Sequence, residues 1–185
     1  MVFGEGDAAA ELMFVGDAPG PEEDAAGRPF MGEAGGLLDK MLVAMGLSRN
    51  EVYLTSVLKC YPAAALADEG GRPPAPDEIG RCAPYLATQI AIVKPKVIVA
   101  LGAGAMRALF GSTEPVGKLR SRWHELHGIP VMPTFNPAYL IRNSANSEKR
   151  KVWEDLLSVL ERMGRMGRMG RTVTAKQQGY FLAKK

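Results

Sequence analysis

KVIVAL, at residues 96–101, is the stretch that decides the fold. Its apolar run is far shorter than the roughly 20 residues of a membrane span, and it is typical of a strand buried on both faces. A helix pattern precedes it at Pro76–Val93, and a second helix pattern follows at Gly104–Phe110. A buried strand between two helices predicts one parallel strand of an α/β sheet.

The alternation of strand and helix continues in both directions from this run. Apolar runs predict three more strands, at Leu12–Val15, Val52–Val57 and Ile129–Phe135. Amphipathic spacing predicts further helices at Ala34–Met45 and Lys149–Met163. We therefore predict an α/β fold, a three-layer α/β/α sandwich with a central, mostly parallel four-stranded sheet. Ligands of such sheets bind beyond the carboxyl ends of the strands, so the loops there form the candidate site.

Length and charge divide the chain into two parts. Its 185 residues, 46% of them hydrophobic, suffice for one well-filled core, which we place at residues 1–161. Residues 162–185 begin RMGRMGRMGR and carry seven lysines and arginines with no acid, so residues 1–161 have a net charge of −4 against +3 for the whole chain. Glycine at every third position and repulsion between arginines predict a disordered tail, or else one that contacts phosphate.

No membrane span or secretory signal is predicted. The residues after Met1 lack the basic segment and apolar core of a signal peptide. We expect a cytoplasmic monomer that does not bind membranes. The two cysteines, Cys60 and Cys82, do not make a disulfide framework, and in a reducing compartment they are thiols or metal ligands.

Two loops carry candidate chemistry. Gly16–Asp24 reads GDAPGPEED and continues through GRPFMG at residues 27–32; its glycines let the backbone approach a ligand. Its acidic side chains would repel phosphate, but they could place a carboxylate near a developing cation or a water molecule. The alternative is that this segment is an ordinary turn-rich loop.

The second loop, Thr134–Asn143, reads TFNPAYLIRN and places a polar side chain at a strand's end, followed by an apolar wedge and an arginine. The alternative there is that Tyr139–Ile141 is the core face of a helical turn.

Together these motifs resemble the family-four uracil-DNA glycosylases, over about residues 2–157. The family's GEAPG…ED…GRPFVG.AG.LL is similar to GDAPGPEEDAAGRPFMGEAGGLL at residues 16–38. VLKCYP at 57–62, PKVIVALG at 95–102 and LRSRWH at 119–124 follow in the family's order, and NPAYLIRN at 136–143 corresponds to its HPAYLLRN.

The resemblance implies an enzyme that flips uracil, or a related deaminated base, out of DNA and hydrolyses its N-glycosidic bond. Positive charge grows on the sugar and negative charge on the base, and both need stabilisation. The implied roles are a base pocket of Gly16, Asp17, Ala18 and Asn136 with Phe30 stacked on the base, catalytic groups Asp17, Glu23 and Asn136, and a wedge and phosphate contact of Leu140, Ile141 and Arg142.

The chain departs from the family at the base pocket. Asn136 stands where the family has a histidine that donates to the base's carbonyl oxygen, and an amide still donates one hydrogen bond. Tyr61–Ala65 contains no amide, although the family reads uracil's edge with an asparagine near this point. The alternative function is therefore a DNA-lesion-binding family member with weak or altered excision. A third hypothesis, nucleotide binding through Gly102–Gly104, lacks the third glycine and acidic partner of that motif.

The family also implies a [4Fe–4S] cluster held by four cysteines. Cys60 and Cys82 match the two downstream ligands, and the upstream pair is absent from the sequence. Two thiolates do not complete a four-cysteine site. Either the natural protein starts further upstream or it has lost the cluster. His124 and His127 have no third ligand nearby, so we interpret them as surface residues.

Overall fold

A computed structural model describes residues 1–62, 73–143 and 145–165 of the chain. Among these residues, six strands form one sheet in the order β1-β3-β2-β4-β6-β5. The strands are β1 Glu5–Gly6, β2 Leu12–Gly16, β3 Tyr53–Ser56, β4 Val97–Leu101, β5 His124–Leu126 and β6 Ile129–Thr134.

The helices are α1 Pro21–Ala26, α2 Gly32–Ala44, α3 Pro76–Val93, α4 Ala103–Phe110, α5 Val116–Leu119, α6 Pro137–Arg142 and α7 Asn146–Arg162, with a 3-10 turn at Arg49–Glu51. The four predicted helices correspond to α2, α3, α4 and α7, within a few residues at their ends. The short helices α1, α5 and α6 were not predicted, because four to six residues are too few to show a helical period.

The four central strands β3, β2, β4 and β6 are parallel, and they are the four strands that the sequence predicts. β1 and β5 pair antiparallel at the two edges. The predicted count of four was therefore too low. Strands of two and three residues carry no readable alternation, so the sequence gives no sign of them.

Side chains on the two faces of the sheet pack into two separate cores, which confirms the three-layer sandwich. In β4, Val97, Val99 and Leu101 join the core beneath α2 and α7, whereas Ile98 and Ala100 join the core beneath α3 and α4. All five residues are buried. A strand covered on both faces accounts for the unbroken apolar run at this position.

The described part of the chain continues past the predicted boundary at residue 161. The guanidinium of Arg162 lies 4.6 Å from the ring centroid of Trp123, and Arg165 Nη2 lies 3.2 Å from Glu11 Oε2. Residues 162–165, the start of the predicted tail, thus contact the folded part of the chain. The remainder of that predicted tail, 166–185, lies outside the described residues, as does the loop at 63–72. None of the described helices is long and apolar enough to cross a membrane.

Candidate functional site

The loops that follow β2 and β3 leave the sheet side by side. The Gly16 carbonyl accepts from the Val57 N–H at 2.9 Å, and the Asp17 carbonyl accepts from the Leu58 N–H at 3.1 Å. On the other side of β2, the Gly102 N–H donates to the Thr134 carbonyl at 3.0 Å. The exits of all four parallel strands therefore meet at one edge of the sheet, where the sequence predicts the site.

Asp17 places its carboxylate at the amino end of α4. Oδ1 accepts from the Ala105 N–H at 2.7 Å. A Cβ added to Gly102, whose φ is +106°, or to Gly104 would lie 2.6 Å from a carboxylate oxygen of Asp17. The two glycines therefore make room for this carboxylate. Because the protein's own anion occupies this helix end, the Gly102–Gly104 segment is not a phosphate cradle, and the nucleotide-binding hypothesis loses its site.

Burial raises the pKa of Asp17 to about 6, well above the usual range of an aspartate. The Ala105 and Gly104 backbone N–H groups, the positive charge of Arg107 and the Asn136 side chain act in the opposite direction. They favour the charged form without fully offsetting its desolvation. The carboxylate is therefore mainly ionised at neutral pH and becomes protonated in mild acid.

Asn136 links the exits of β4 and β6 and also contacts Asp17. Its Nδ2 donates to the Leu101 carbonyl at 3.2 Å, and its Oδ1 accepts from the Ala138 N–H at 3.0 Å, which caps α6. The same side chain lies near enough to Asp17 to lower the pKa of its carboxyl. The structure thus brings Asp17 and Asn136 together, and it engages both ends of the amide within the protein.

Phe30 lies on the backbone of β2. A Cβ added to Gly16 would sit 2.9 Å from Phe30 Cζ and 3.3 Å from Ser56 Oγ, so the ring covers Gly16 closely. The side chain is mostly buried, with 8% exposed, and it belongs to the core beneath α2. Its φ of +53° is left-handed, an uncommon conformation for a residue with a side chain. The Phe30 ring therefore lies at the end of β2, beside Gly16.

Glu23 has different surroundings from Asp17. Its Oε2 accepts from the Gly20 N–H at 3.0 Å, and its Oε1 accepts from the Met31 N–H at 3.1 Å. One carboxylate oxygen therefore binds the backbone at the start of α1, and the other binds the backbone next to Phe30. This arrangement ties the start of α1 to the start of α2. Ala18, also predicted in the pocket, is half-buried and packs against the core beneath α3.

The predicted wedge residues lie on α6 with very different exposure. Leu140 is completely buried in the core, so its side chain is not available at the surface. Ile141 is half-buried and Arg142 is exposed. The alternative interpretation of this segment, a helical turn with a core face, is therefore right for Leu140.

The sequence patterns did not indicate that Lys59, beside the cysteines, is buried. Lys59 Nζ donates to Thr55 Oγ1 and Gln89 Oε1, each at 2.7 Å, and to the Ser56 carbonyl at 2.6 Å. Burial lowers its pKa to about 8, and a smaller charge interaction with Cys82 opposes that change. No hydropathy pattern marks such a lysine, because Thr55 and Ser56 precede it in the chain but Gln89, which completes its set of acceptors, comes from α3.

The thiols do not fit a four-ligand cluster. Cys60 is exposed just beyond β3, and Cys82 is half-buried on α3. Within the described ranges, no three histidine, cysteine, aspartate or glutamate side chains are grouped to hold a metal ion. This also leaves His124 and His127 without a third ligand. His124 instead packs against Phe110, with ring centroids 5.5 Å apart.

The sequence patterns also did not indicate the hydrogen-bond network of Asp155, which holds the end of β6. The buried Asp155 accepts from Arg120 Nε at 3.1 Å, from Ser121 Oγ at 3.1 Å and from Thr134 Oγ1 at 2.7 Å. Burial raises the pKa of this carboxyl above its usual range. Since Thr134 is the last residue of β6, the network fixes the strand end that carries Asn136.

A groove of about 530 Å³ lies away from this edge of the sheet. Helices α3 and α4 and the β5–β6 turn line it, through residues such as Leu86, Ile90, Leu109 and His127. None of the predicted site residues reaches it. Its walls are mainly aliphatic, and they lack the carboxylates and aromatic face gathered at the strand ends.

Known proteins are similar to this chain over most of its length. The model of the "Uracil DNA glycosylase superfamily" matches residues 3–157. The "Type-4 uracil-DNA glycosylase" of Thermotoga maritima is 42% identical over 160 residues, which cover 84% of this chain and 79% of that protein. The protein of the same description from Saccharolobus solfataricus is 39% identical over 171 residues, or 85% and 76% of the two chains. A "Type-5 uracil-DNA glycosylase" of Pyrobaculum aerophilum is 31% identical over 175 residues, or 85% and 72%.

Proposed function

The chain belongs to the uracil-DNA glycosylase superfamily, and from this premise we propose that it excises uracil from DNA as the first step of base-excision repair. The reaction is hydrolysis: the bond between the base nitrogen and the sugar C1′ breaks, water adds its oxygen to C1′, and the base leaves with a proton. The target base must first leave the duplex, at a cost of about a few kcal/mol.

One observation carries this proposal: the Asp17 carboxylate, the Asn136 amide and the Phe30 ring all lie at the carboxyl ends of β2, β4 and β6. A carboxylate suits the cationic sugar of the transition state. An aromatic ring suits a flat base, and such stacking contributes about 1–3 kcal/mol per base. Glycine at position 16 makes room for the ring, since a Cβ there would lie 2.9 Å from Phe30 Cζ.

We assign the chemistry to Asp17 and the support of the loop to Glu23. Asp17 is ionised at neutral pH and is held by α4, so it faces the developing positive charge without needing to reorganise. Glu23 uses both oxygens on loop N–H groups, and in this proposal it holds Phe30 in place. The orientation of water then rests with Asp17 and the backbone of Gly16 and Ala18.

For the DNA contact, we propose Ile141 as the wedge and Arg142 as a phosphate contact. Ile141 is partly exposed on α6, and the buried Leu140 anchors the helix beneath it. An apolar side chain placed between base steps occupies the space that the flipped base leaves. An arginine one residue later reaches the backbone and fixes the register without reading sequence.

The test uses labelled oligonucleotides that contain uracil, hypoxanthine or thymine at one position, as single strands and as duplexes. Abasic product is cleaved with alkali and resolved on a gel. We expect excision of uracil and none of thymine. Asp17→Asn should lose about 10²-fold or more in single-turnover rate, whereas Asp77→Asn, the same change at an exposed carboxylate, should retain it. Equal loss in both variants contradicts the assignment of Asp17.

Asn136 favours a second candidate function, recognition of damaged DNA with slow excision. Its Nδ2 donates one of its two hydrogens to the Leu101 carbonyl and its Oδ1 caps α6, so the amide is held in place and has one hydrogen left to offer a base. Lesion affinity measured alongside the single-turnover rate separates the two functions. Tight binding of uracil-containing DNA with negligible release of uracil supports the second candidate.

A further inference from the structure

Arg49 binds two successive main-chain carbonyls, those of Pro29 and Phe30. Nη1 donates to the Pro29 carbonyl at 3.1 Å, and Nη2 donates to the Phe30 carbonyl at 2.5 Å. A guanidinium presents such donors in a fixed planar fork, which a lysine does not. One side chain from the 3-10 turn before β3 therefore constrains two successive peptide groups of the loop that carries the aromatic ring.

The conformation constrained in this way is unfavourable without support. Phe30 has a φ of +53°, which brings Cβ close to the following carbonyl and is routinely adopted only by glycine. Gly35 provides space on the same side, because a Cβ there would lie 1.8 Å from the Phe30 carbonyl oxygen. Phe30 therefore adopts its left-handed conformation where Arg49 and the first turn of α2 together surround the Phe30 carbonyl.

Arg49 is itself fixed from behind. Its Nε donates to Asp39 Oδ1 on α2 at 2.6 Å, and its Nη1 lies 3.7 Å from Glu5 Oε1 on β1. Only 18% of the side chain is exposed. A guanidinium held by two carboxylates keeps one orientation, so it transmits the positions of β1 and α2 to the Phe30 backbone.

We propose that Arg49 is a positioning residue for base recognition, because its hydrogen bonds to the Pro29 and Phe30 carbonyls orient the Phe30 ring onto Gly16. The ring lies against Gly16 on one side of the residue, and the guanidinium holds its carbonyl on the other. Arg49 thus acts on the base only through Phe30. This functional role rests on the proposed function, whereas the effect on the ring does not.

The first measurement reads the ring without DNA. An aromatic ring packed on Gly16 shifts the Gly16 proton resonances in an NMR spectrum, and Phe30→Ala identifies that shift. We expect Arg49→Lys to move these resonances toward their Phe30→Ala positions. Arg28→Lys is the matched control, since Arg28 binds Glu5 at 2.8 Å and 2.9 Å from an exposed position and does not bind these carbonyls. Unchanged Gly16 resonances in folded Arg49→Lys overturn the proposal.

The second measurement is the affinity for uracil-containing DNA relative to thymine-containing DNA. Phe30→Ala and Arg49→Lys should each lower this ratio about tenfold. The double variant should lower the ratio no further than Phe30→Ala alone, because Arg49 acts through the ring.

If Arg49→Lys folds poorly, Asp39→Asn takes its place. This change removes one partner of the guanidinium and keeps the arginine, so it should lower the ratio by less than Arg49→Lys is expected to. Losses that multiply in the double variant, or an unchanged ratio in Arg49→Lys, overturn the positioning role. Wild-type protein that fails to discriminate uracil, with Gly16 resonances that still respond to Arg49→Lys, overturns the proposed function instead.

Discussion

Asp17 Oδ1 accepts a 2.7 Å hydrogen bond from the main-chain N–H of Ala105, which lies 88 residues further along the chain. The bond joins the loop after β2 to the amino end of α4. It therefore places a negative charge where the helix favours one and where the strand ends meet. The pKa of Asp17 still rises to about 6, because burial outweighs these favourable contacts.

Asp17 should make stability depend on pH. Its folded-state pKa lies above its unfolded value, so between about pH 4 and 6 the folded state binds more protons, and the free energy of unfolding falls as pH rises through this range. The full difference amounts to about 3 kcal/mol at most. Because burial also raises the pKa of Asp155, Asp17→Asn should reduce this slope without abolishing it, as measured by denaturant unfolding at a series of pH values. Asp77→Asn, a matched exposed position, should leave the slope unchanged. A slope that is unchanged in Asp17→Asn assigns the effect to another group.

Gly104 should not tolerate a side chain. A Cβ at this position would lie 2.6 Å from Asp17 Oδ1 and 2.7 Å from Pro74 Cδ, so Gly104→Ala must displace the carboxylate or the loop. A misplacement of about 1 Å at a catalytic group costs on the order of 10²-fold in rate. The single-turnover rate of uracil excision should fall by that factor.

Gly36 provides the control for this substitution. It lies in α2 with open space around its Cβ position, so Gly36→Ala should keep full activity and gain up to about 1 kcal/mol of stability from helix propensity. Full activity in Gly104→Ala means that the site does not depend on where Asp17 stands.

Asn136 should contribute more to the rate than to binding. The leaving base gathers negative charge on its carbonyl oxygen, so a donor there matters most in the transition state. Asn136→Ala should lower the single-turnover rate by about 10²-fold and the affinity for uracil-containing DNA by much less. Loss of the α6 cap should cost about 1 kcal/mol of stability. Asn136→His should raise the rate on uracil if the ring fits.

Asn143 is the matched control, since this exposed amide at the carboxyl end of the same helix donates to the Tyr139 carbonyl. Asn143→Ala should leave the rate unchanged. If Asn136→Ala also leaves it unchanged, Asn136 is a helix cap with no catalytic role.

The 185-residue chain should carry no iron–sulfur cluster. Cys60 and Cys82 are its two cysteines, and within the described ranges no third candidate ligand joins them. Protein of this sequence purified without oxygen should be colourless, with substoichiometric iron by elemental analysis. A brown preparation with about four irons per chain contradicts this prediction and requires ligands from a second subunit.

The sequence predicts the four parallel strands well, because strands buried on both faces are continuous apolar runs. It also predicts which loops meet, because parallel strands share a carboxyl edge. It does not predict the Arg49–Phe30 contact, since no local pattern joins a turn residue to a carbonyl 19 positions earlier. For α6, the period alone does not tell whether Leu140 or Ile141 faces the core. Packing of α6 against α2 decides that, and it is a property of the tertiary structure.

The most direct test of the central claim is the release of free uracil from a uracil-containing oligonucleotide, measured by mass spectrometry with protein in excess. We predict one uracil and one abasic site per oligonucleotide with the wild type, and release slowed about 10²-fold or more with Asp17→Asn at unchanged DNA affinity. Wild-type protein that binds this DNA and leaves its uracil in place contradicts the account.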